Sequence, residues 1–342
     1  MTDMNNTPQN NTNDYLVEVE HLKKYFPVQT GFIEQIFSKE KEYVRAVDDV
    51  SFKIRRGEVL GLAGESGSGK TTIGRVTIGL EEKTEGEVLF DGMDLSTLSD
   101  ETLRKLRRRM QVIFQDPMAS LNPRMSLGNA IRQGLEIHYP ESKDQHRDMV
   151  LEVMEKVGLT PAKFYYNKFP HQISGGQRQR VVIARALITK PELVLADEPI
   201  AMADVSVRAQ LLDLMVQLKN EFNLTFLFIT HDLATAKYIC DRIGILYLGK
   251  IVEISDLREV YTHPMHPYTI ALLAAVPVPN PHERRQEPMP SGEIPNPIHP
   301  PSGCRFHPRC PYAQDICALE EPKLRELRPG HQVACHFAEQ FG

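Results

Sequence analysis

The 342-residue sequence has no long hydrophobic run, and its longest apolar stretches fall far short of the roughly 18 residues that a membrane-spanning helix needs. We therefore predict no transmembrane helix. The polar segment 1–14 also lacks the hydrophobic region of a secretory signal and is predicted to be a disordered tail. Together these two absences predict a cytosolic protein.

An excess of positive charge is also missing. The chain carries 40 lysine and arginine residues against 45 aspartate and glutamate residues, a net charge of −5, so bulk charge does not favour a nucleic-acid partner. Cysteine is scarce, and five cysteines in a cytosolic chain are not expected to form structural disulfides. The remaining composition, 41% hydrophobic and 25% charged, is typical of a globular protein with a sizeable core.

Short apolar runs alternate with helical patterns along most of the chain, which predicts an α/β layered domain. Residues 118–173 are predicted to form a helical insert. A polar stretch at 29–42 is predicted to be an insertion loop, and the proline-rich stretch 276–303 a linker or extended arm. The predicted strands are 16–21, 43–54, 58–63, 87–90, 110–114, 193–196, 225–229, 242–246 and 251–254.

A glycine-rich motif of the form G-x-x-x-x-G-K-[ST] follows the third predicted strand and precedes a helical pattern, which is the context that a phosphate-binding loop requires. Its glycines let backbone N–H groups surround phosphate oxygens at a helix N-terminus. Lys70 is predicted to reach the β- and γ-phosphates and the Thr71 hydroxyl to bind Mg²⁺. A chance glycine-rich turn is the competing interpretation, and the strand and helix around the motif disfavour it. The predicted ATP-binding residues of this segment are Gly64, Glu65, Ser66, Gly67, Ser68, Gly69, Lys70, Thr71 and Thr72.

Two carboxylates follow the buried strand predicted at 193–196. The strand would deliver Asp197 to the magnesium ion beside the phosphate loop. Glu198, one residue further on, could polarise the attacking water as a general base. A strand that ends in solvated acids is the common alternative for an isolated Asp-Glu pair, but the phosphate loop upstream favours a hydrolytic site.

Three further features complete a resemblance to the ATPases of ABC transporters. The segment Ile173-Ser174-Gly175-Gly176-Gln177 resembles their LSGGQ signature with isoleucine in place of leucine. Gln115, after one predicted strand, resembles the Q-loop glutamine, and His231, after another, resembles the switch histidine. The order of all five motifs is that of the family, and the resemblance covers roughly residues 16–262. The predicted signature residues are Ser174, Gly175, Gly176 and Gln177.

The resemblance implies an ABC-type P-loop NTPase fold, with a RecA-like core, an antiparallel β subdomain and a helical subdomain. It implies a head-to-tail pair of cassettes, in which ATP lies between the phosphate loop of one and the signature of the other. Glu198, His231 and Gln115 would be catalytic, and Mg²⁺ would be held through Thr71, Gln115 and Asp197.

Two positions of the family pattern are less clear in this sequence. An aromatic near the N-terminus stacks on adenine in the family, and Tyr25 holds that place, with Phe26 and Tyr43 as alternatives. The stretch after the catalytic glutamate usually reads SALD; here it is Ala201-Met202-Ala203-Asp204, so the serine is lost. That change puts communication between the paired sites in doubt, but not ATP binding.

The end of the chain narrows the resemblance to the ATPases of oligopeptide and dipeptide importers, in the role of the second ATPase. The segment His266-Pro267-Tyr268-Thr269 and the stretch Cys304-Arg305-Phe306-His307-Pro308-Arg309-Cys310-Pro311 both resemble that subfamily. We therefore predict an ABC cassette at 15–262 and a small cysteine-containing extension at 263–342. Peptides are the predicted cargo; nickel and sugars are the alternatives.

Such an enzyme would couple ATP hydrolysis to transport as a peripheral protein on the cytoplasmic face of the cell membrane. The predicted partners are a second ATPase subunit, related rather than identical, two membrane permease subunits and an extracytoplasmic substrate-binding protein, with no nucleic acid. An ABC ATPase acting on nucleic acid or ribosomes is the rival class. Such proteins usually show two cassettes or a long coiled-coil insertion, and this sequence has one cassette and no heptads.

Four cysteines in the extension, Cys304, Cys310, Cys317 and Cys335, are predicted to hold one [4Fe–4S] cluster. Four thiolates are the ligand set for such a cluster, and a proline follows Cys310 as one follows a ligand in bacterial ferredoxins. Structural zinc usually takes cysteines in closer pairs, yet Zn²⁺ remains an alternative, with His307 or His336 able to substitute for a thiolate. Some members of the importer subfamily carry a cluster in this tail, which favours iron. A tail without metal is the third possibility.

Overall fold

The computed structural model describes residues 14–28, 42–276 and 290–342. The predicted tail before residue 14, the predicted insertion loop and the central part of the predicted proline-rich arm lie outside the described residues. The described chain builds two β-sheets with helices around them.

The smaller sheet has four antiparallel strands in the order β2-β1-β4-β5. Alternation of burial along its strands turns Val50, Phe52 and Ile54 into the core while their neighbours are more exposed. This sheet forms the antiparallel layer that the sequence predicted. Its strands are β1 (Tyr15–Pro27), β2 (Tyr43–Arg55), β4 (Glu85–Phe90) and β5 (Met93–Asp94).

The larger sheet has eight strands in the order β11-β12-β10-β9-β3-β8-β7-β6. The central strands β6, β7, β8, β3 and β9 pair in parallel, and β3, β7 and β8 are buried at every position, as expected for strands covered on both faces. Each predicted strand is confirmed, although some end one or several residues away from the predicted bounds. The strands are β3 (Val59–Ala63), β6 (Met110–Ile113), β7 (Leu193–Asp197), β8 (Thr225–Thr230), β9 (Arg242–Tyr247), β10 (Lys250–Asp256), β11 (Arg325–Arg328) and β12 (His331–Val333).

Helices flank the larger sheet and build a separate layer beyond it. Helices α3 to α6 lie between residues 117 and 166, in the region where the sequence predicts a helical insert. The helices are α1 (Lys70–Thr77), α2 (Asp100–Leu106), α3 (Pro117–Ser120), α4 (Leu127–His138), α5 (His146–Lys156), α6 (Ala162–Tyr166), α7 (Gly175–Leu187), α8 (Val205–Phe222), α9 (Leu233–Ile239), α10 (Leu257–Thr262), α11 (Pro267–Ala274) and α12 (Asp315–Leu319).

The larger sheet divides the hydrophobic core in two. Val194 and Ala196 of β7 face a core that includes the helical insert, while Leu193 and Leu195 face the core under the smaller sheet. This follows from the period-2 geometry of a strand that is buried on both faces. The molecule is therefore layered, with α4 to α11 on one face of the large sheet and α1, α2 and the antiparallel sheet on the other.

The C-terminal extension continues the large sheet. Strand β12 pairs with β10, with Val333 opposite Glu253, and β11 then pairs with β12 at the sheet edge. Tyr247 of β9, Tyr268 of α11 and Phe306 form an aromatic cluster with ring centroids 4.8–5.3 Å apart. Neither the two added strands nor this cluster was expected from the sequence, which suggested only an arm with cysteines.

Candidate functional site

The phosphate-binding loop joins β3 to α1, as the motif requires. Gly69 stands immediately before α1 with φ of 104°, in the left-handed region, and a Cβ there would lie 2.2 Å from the Ala46 carbonyl oxygen. Only glycine fits such a position. Ser66 and Gly67 are exposed, whereas Ser68 and Lys70 are buried. The loop thus surrounds the N-terminal end of a helix, where backbone N–H groups favour an anion.

The Lys70 ammonium group lies inside this loop. Its Nζ donates to the carbonyl oxygens of Gly64 and Glu65, both at 2.8 Å, and to Ser68 Oγ at 3.3 Å. Burial lowers the pKa of Lys70, and the carboxylates of Glu198 and Asp197 act in the opposite direction. A cation is therefore positioned next to the N–H groups that would hold phosphate.

Asp197 lies at the end of β7, beside the start of α1. The Thr71 hydroxyl donates to Asp197 Oδ1 at 3.0 Å. Burial raises the pKa of Asp197, although the Thr71 hydrogen bond opposes that shift. A carboxylate and a hydroxyl oxygen so close together, next to the phosphate loop, are the type of oxygen donors that Mg²⁺ takes, so these two residues fit the predicted ion.

Glu198, Gln115 and His231 come together although they are far apart in sequence. Gln115 Nε2 donates to Glu198 Oε2 at 2.9 Å, and His231 Nδ1 lies 3.1 Å from Glu198 Oε1. Glu198 itself has φ of 47°, a conformation that is uncommon outside glycine and that occurs often at functional sites. Gln115 was predicted to contact Mg²⁺ as well, and in this structure its amide contacts Glu198.

The topology explains this convergence. The phosphate loop follows β3, Gln115 follows β6, Glu198 follows β7 and His231 follows β8, and these four strands are adjacent and parallel. The carboxyl ends of parallel strands meet at one edge of the sheet, where open α/β proteins bind ligands.

The signature residues lie at the start of α7. Ser174 is the N-cap: its Oγ accepts from Gln177 N at 3.3 Å, and Gln177 Oε1 accepts from Ser174 N at 3.0 Å, a reciprocal capping box. Gln177 Nε2 also donates to the Tyr165 hydroxyl at 3.0 Å. Ser174 and Gly175 are exposed, and a Cβ on Gly175 would meet no atom within 4 Å from the rest of the described residues outside its own helix. These bonds shape an open helix N-terminus, and none of them reaches the phosphate loop of the same chain.

Of the three aromatic candidates for adenine, Tyr25 is the one that is held by a hydrogen bond to the network around the phosphate loop. Its hydroxyl donates to Asp48 Oδ1. Phe26 carries the Lys24 ammonium 4.7 Å from its ring centroid, and Tyr43 is exposed. Burial, followed by the bond to Asp48, raises the pKa of Tyr25, so its hydroxyl keeps the proton that it donates.

Two contacts near the phosphate loop were not predicted. Arg309 forms an ion pair with Glu65, and Arg305 forms one with Asp48. Both arginines belong to the C-terminal extension, more than 240 residues away along the chain. No sequence motif predicts such long-range pairs. The only signal in the sequence is that each arginine is adjacent to one of the cysteines, Cys304 and Cys310.

The four cysteines of the extension line one small cavity, together with aromatic and histidine side chains. One of the sulfurs, Cys335 Sγ, accepts the backbone N–H of Phe337 at 3.4 Å. Burial raises the pKa of Cys304 to about 12 and that of Cys335 to about 11.

The same region does not by itself support the predicted cluster. Among residues 14–28, 42–276 and 290–342, no group of three or more His, Cys, Asp or Glu side chains is arranged so that it could hold a metal ion. The fifth cysteine, Cys240, is buried elsewhere, against Gly61 of β3. In the described part of the chain, we also find no helix that is both long and apolar enough to cross a bilayer.

Comparison with known proteins gives two family matches. The family described as ABC transporter matches residues 47–201, and the family described as oligopeptide/dipeptide transporter, C-terminal region, matches residues 252–317. The second match begins within β10 and spans the segment that carries α10, α11 and three of the four cysteines.

Curated relatives match over nearly the whole chain. The oligopeptide transport ATP-binding protein AppF of Bacillus subtilis is 47% identical over 325 residues, which cover 94% of this chain and 97% of that protein. A putative peptide import ATP-binding protein of Brucella ovis is 51% identical over 320 residues, with 94% of this chain and 97% of the relative covered.

Solved structures share the fold of the cassette. A dimeric post-hydrolysis state of the ATP-binding cassette MJ0796 bound to ADP and Pi aligns with a TM-score of 0.61 and 31% identity, covering 71% of this chain and 99% of that one. CbiO1 of Clostridium perfringens, part of an ABC transporter complex, aligns with a TM-score of 0.61 and 26% identity, covering 72% and 91%. With its motifs gathered at one sheet edge and with relatives that match over 94% of its length, this chain belongs to the ATP-hydrolysing, ATP-binding proteins of ABC transporters, in the group with the oligopeptide/dipeptide transporter C-terminal region.

Proposed function

We propose that this chain binds and hydrolyses ATP on the cytoplasmic face of a membrane and thereby drives the import of peptides through permease subunits. The observation that carries the proposal is the meeting of the phosphate loop, Asp197, Glu198, Gln115 and His231 at one sheet edge, in a chain with an oligopeptide/dipeptide transporter C-terminal region. The relatives named for oligopeptide transport and peptide import support peptides over nickel and sugars as cargo.

Each side chain has a defined task in this proposal. The phosphate loop and Lys70 bind the triphosphate, while Thr71 and Asp197 would hold Mg²⁺, together with Gln115 once it leaves its present contact with Glu198. When bound, Mg²⁺ neutralises charge on the β- and γ-phosphates. Glu198 accepts a proton from the attacking water, and its contact with His231 orients its carboxylate toward that water.

The signature of α7 serves nucleotide held by a second ATPase subunit. Its exposed, capped N-terminus offers N–H groups that no residue of this chain's phosphate loop uses in the contacts described above. A related partner is proposed rather than an identical one, because the stretch after Glu198 departs from the family pattern SALD and Met202, which stands at its alanine position, is 66% exposed. The other proposed partners are two permease subunits and an extracytoplasmic substrate-binding protein.

We also propose that the extension holds a [4Fe–4S] cluster, with Zn²⁺ as the alternative. Four thiols around one cavity supply the ligand set, and the backbone N–H that donates to Cys335 Sγ is the kind of hydrogen bond that stabilises a metal-bound thiolate. Small movements of the cysteine loops would then be needed to close the ligand set. The cluster would pin the extension to the cassette.

Uptake by cells tests the proposed function. In a host that lacks this chain and is auxotrophic for one amino acid, a peptide containing that amino acid should support growth only when the wild-type chain is restored. Glu198→Gln should be expressed but fail to restore growth, because loss of a general base lowers hydrolysis roughly 10²–10⁴-fold. Glu221→Gln, on an exposed glutamate that pairs with Lys156, is the matched control and should restore growth.

Two outcomes would contradict the proposal in different ways. Peptide-dependent growth restored by Glu198→Gln would show that this carboxylate is not the catalytic base. Peptide-dependent growth without the chain, combined with loss of labelled nickel or sugar uptake, would show that the cargo is not a peptide.

A further inference from the structure

Two arginines of the extension reach the walls of the nucleotide site. Arg305 directly follows Cys304 and Arg309 directly precedes Cys310, and both guanidinium groups are almost fully covered by protein. Burying a charge without a partner costs free energy, so the partners of these two arginines indicate their role. Both partners lie in or next to the machinery that would hold ATP.

Arg309 forms an ion pair with Glu65 of the phosphate loop. Its Nη1 and Nη2 donate to the two carboxylate oxygens of Glu65 at 2.9 and 3.2 Å, the fork geometry that makes such pairs strong. The Tyr268 hydroxyl accepts from the Glu65 backbone N–H at 3.0 Å, so the extension holds both ends of this residue. Glu65 in turn offers its carbonyl oxygen to Lys70 at 2.8 Å.

The charge of Glu65 makes this contact matter for binding. A carboxylate in a loop that must accept a triphosphate repels the ligand, because like charges at short range in a partly buried site interact strongly. The Arg309 guanidinium pairs with that carboxylate and neutralises its charge. Removal of the arginine would leave the negative charge beside the phosphates.

Arg305 contacts the carboxylate that also binds Tyr25, the predicted adenine-stacking residue. It donates to the Asp48 carboxylate and to the Leu248 carbonyl oxygen, and Asp48 in turn accepts from the Tyr25 hydroxyl. Burial alone would raise the pKa of Asp48, but the Tyr25 hydroxyl and Arg305 outweigh it and hold that pKa below its usual range. The carboxylate therefore stays ionised and links the arginine to the tyrosine.

This second network is joined to the phosphate loop through the turn between β9 and β10. Asp48 N donates to the Gly249 carbonyl oxygen and Gly249 N donates to the Ser68 carbonyl oxygen, both at 2.9 Å. Arg305 therefore lies between Tyr25 and the phosphate loop in this hydrogen-bond network. It contacts Tyr25 indirectly, through the Asp48 carboxylate.

We infer that Arg309 and Arg305 are positioning residues for ATP, with Arg309 acting on the triphosphate through Glu65 and Arg305 acting on the adenine base through Asp48 and Tyr25. This inference rests on the proposed ATPase function and adds that the nucleotide site is completed by the C-terminal extension. It predicts that the two arginines affect different parts of the same ligand.

Two probes separate these effects in the full-length chain. A non-hydrolysable ATP analogue with Mg²⁺ reports on the whole nucleotide, and inorganic tripolyphosphate with Mg²⁺ reports on the phosphate loop alone. By calorimetric titration, Arg309→Ala should lower the affinity for both probes roughly tenfold, as expected when an ion pair that neutralises a nearby charge is lost. Arg305→Ala should lower the affinity for the ATP analogue by roughly five- to tenfold, the order of a base–aromatic stacking contact. The affinity for tripolyphosphate should stay within about twofold of the wild-type value.

Rescue and non-additivity distinguish positioning from general damage. Glu65→Gln should restore both affinities in the Arg309→Ala background, because it removes the charge that the arginine neutralises. Tyr25→Phe, which leaves the extension untouched, should reproduce the selective loss of Arg305→Ala. Arg305→Ala should add nothing to Tyr25→Ala. Arg325→Ala, which removes an exposed arginine of the same extension paired with Glu339, should change neither affinity.

The inference is overturned if Arg305→Ala weakens both probes equally, or if Glu65→Gln fails to rescue Arg309→Ala. Full affinity for both probes in Arg305→Ala and Tyr25→Phe would also overturn it. A wild-type chain that binds neither probe would contradict the proposed ATPase function instead, so the two failures are distinguishable.

Discussion

Glu253 is a single carboxylate that joins three parts of the chain. It lies on β10, is completely buried, and accepts from Met265 N at 2.8 Å, His266 N at 3.0 Å and His331 Nε2 at 2.7 Å. Burial lowers the pKa of His266 to about 4, so this ring is neutral and its Nδ1 can accept from Tyr268 N, which caps α11. One residue therefore fixes the start of α11 and attaches β12 to the sheet.

Removal of that carboxylate should be costly. Glu253→Ala would leave two backbone N–H groups and the His331 ring without their acceptor in a site that water does not reach, and loss of one partner of a buried pair destabilises a protein by about 3–5 kcal/mol. The midpoint of urea unfolding, followed by circular dichroism, measures this loss. Glu339→Ala, which removes the exposed partner of Arg325 in the same extension, should move the midpoint little. Equal shifts for the two variants would refute this role of Glu253.

At the scale of the element, the start of helix α7 shows how the signature motif forms an exposed helix N-terminus. Three small residues could have formed any turn, but the reciprocal bonds between Ser174 and Gln177 start the helix at a defined residue and leave its first N–H groups free to face outward. The same bonds explain why glutamine ends the signature, since its side chain reaches back to the N-cap.

Ser174→Arg tests whether this surface acts on a partner's nucleotide. In the assembled transporter, the composite site that takes Ser174 should lose roughly 10²-fold in hydrolysis, the order seen when a transition-state donor is removed, so the complex retains at most the turnover of its other site. Phosphate release measures this change. The isolated variant should still bind a non-hydrolysable ATP analogue in its own phosphate loop.

A second N-cap provides the control. Ser99→Arg also removes a serine cap, at the start of α2, and should leave hydrolysis by the complex intact. Loss of analogue binding by the Ser174→Arg chain, or the same loss of hydrolysis in both variants, would argue against a role of the signature in the partner's site.

At the scale of the whole molecule, the extension is a part of the cassette that comes late in sequence. It contributes two strands to the large sheet, Phe306 and Tyr268 to its core, and two arginines that pair with Asp48 and Glu65. The segment has few apolar residues with which to fold alone, so a metal at its cysteines would add stability where packing is thin.

Protein purified without oxygen should therefore be brown and hold about four irons per chain if the site is full. Iron content and the visible absorption spectrum measure this. Cys310→Ser should lose the colour, whereas Cys240→Ala, at the buried cysteine beside β3, should keep it. A colourless chain with one zinc would favour the alternative metal, and a chain with no metal would refute the site.

Much of the fold and of the site could be predicted because their signals are local. An apolar run in the sequence predicts a buried strand. The phosphate loop needs glycines at positions such as Gly69, where a side chain would collide with the backbone of β2. The catalytic candidates each follow such a strand, so their place at the carboxyl edge of the sheet follows from parallel pairing. The strands of the extension, by contrast, are short, and no residue of β11 is buried, so they show little hydrophobic periodicity.

By itself the sequence determined the cassette, the motifs and their roles in the resemblance, because these depend on residue type and spacing along a short stretch. Only the tertiary structure decided that Arg309 meets Glu65, that Arg305 meets Asp48, and that Glu253 holds β12. These pairs join segments that are 78 to 257 residues apart. A charged side chain in a sequence has many candidate partners, and its true one is selected by the burial and the strand pairing that bring distant segments together.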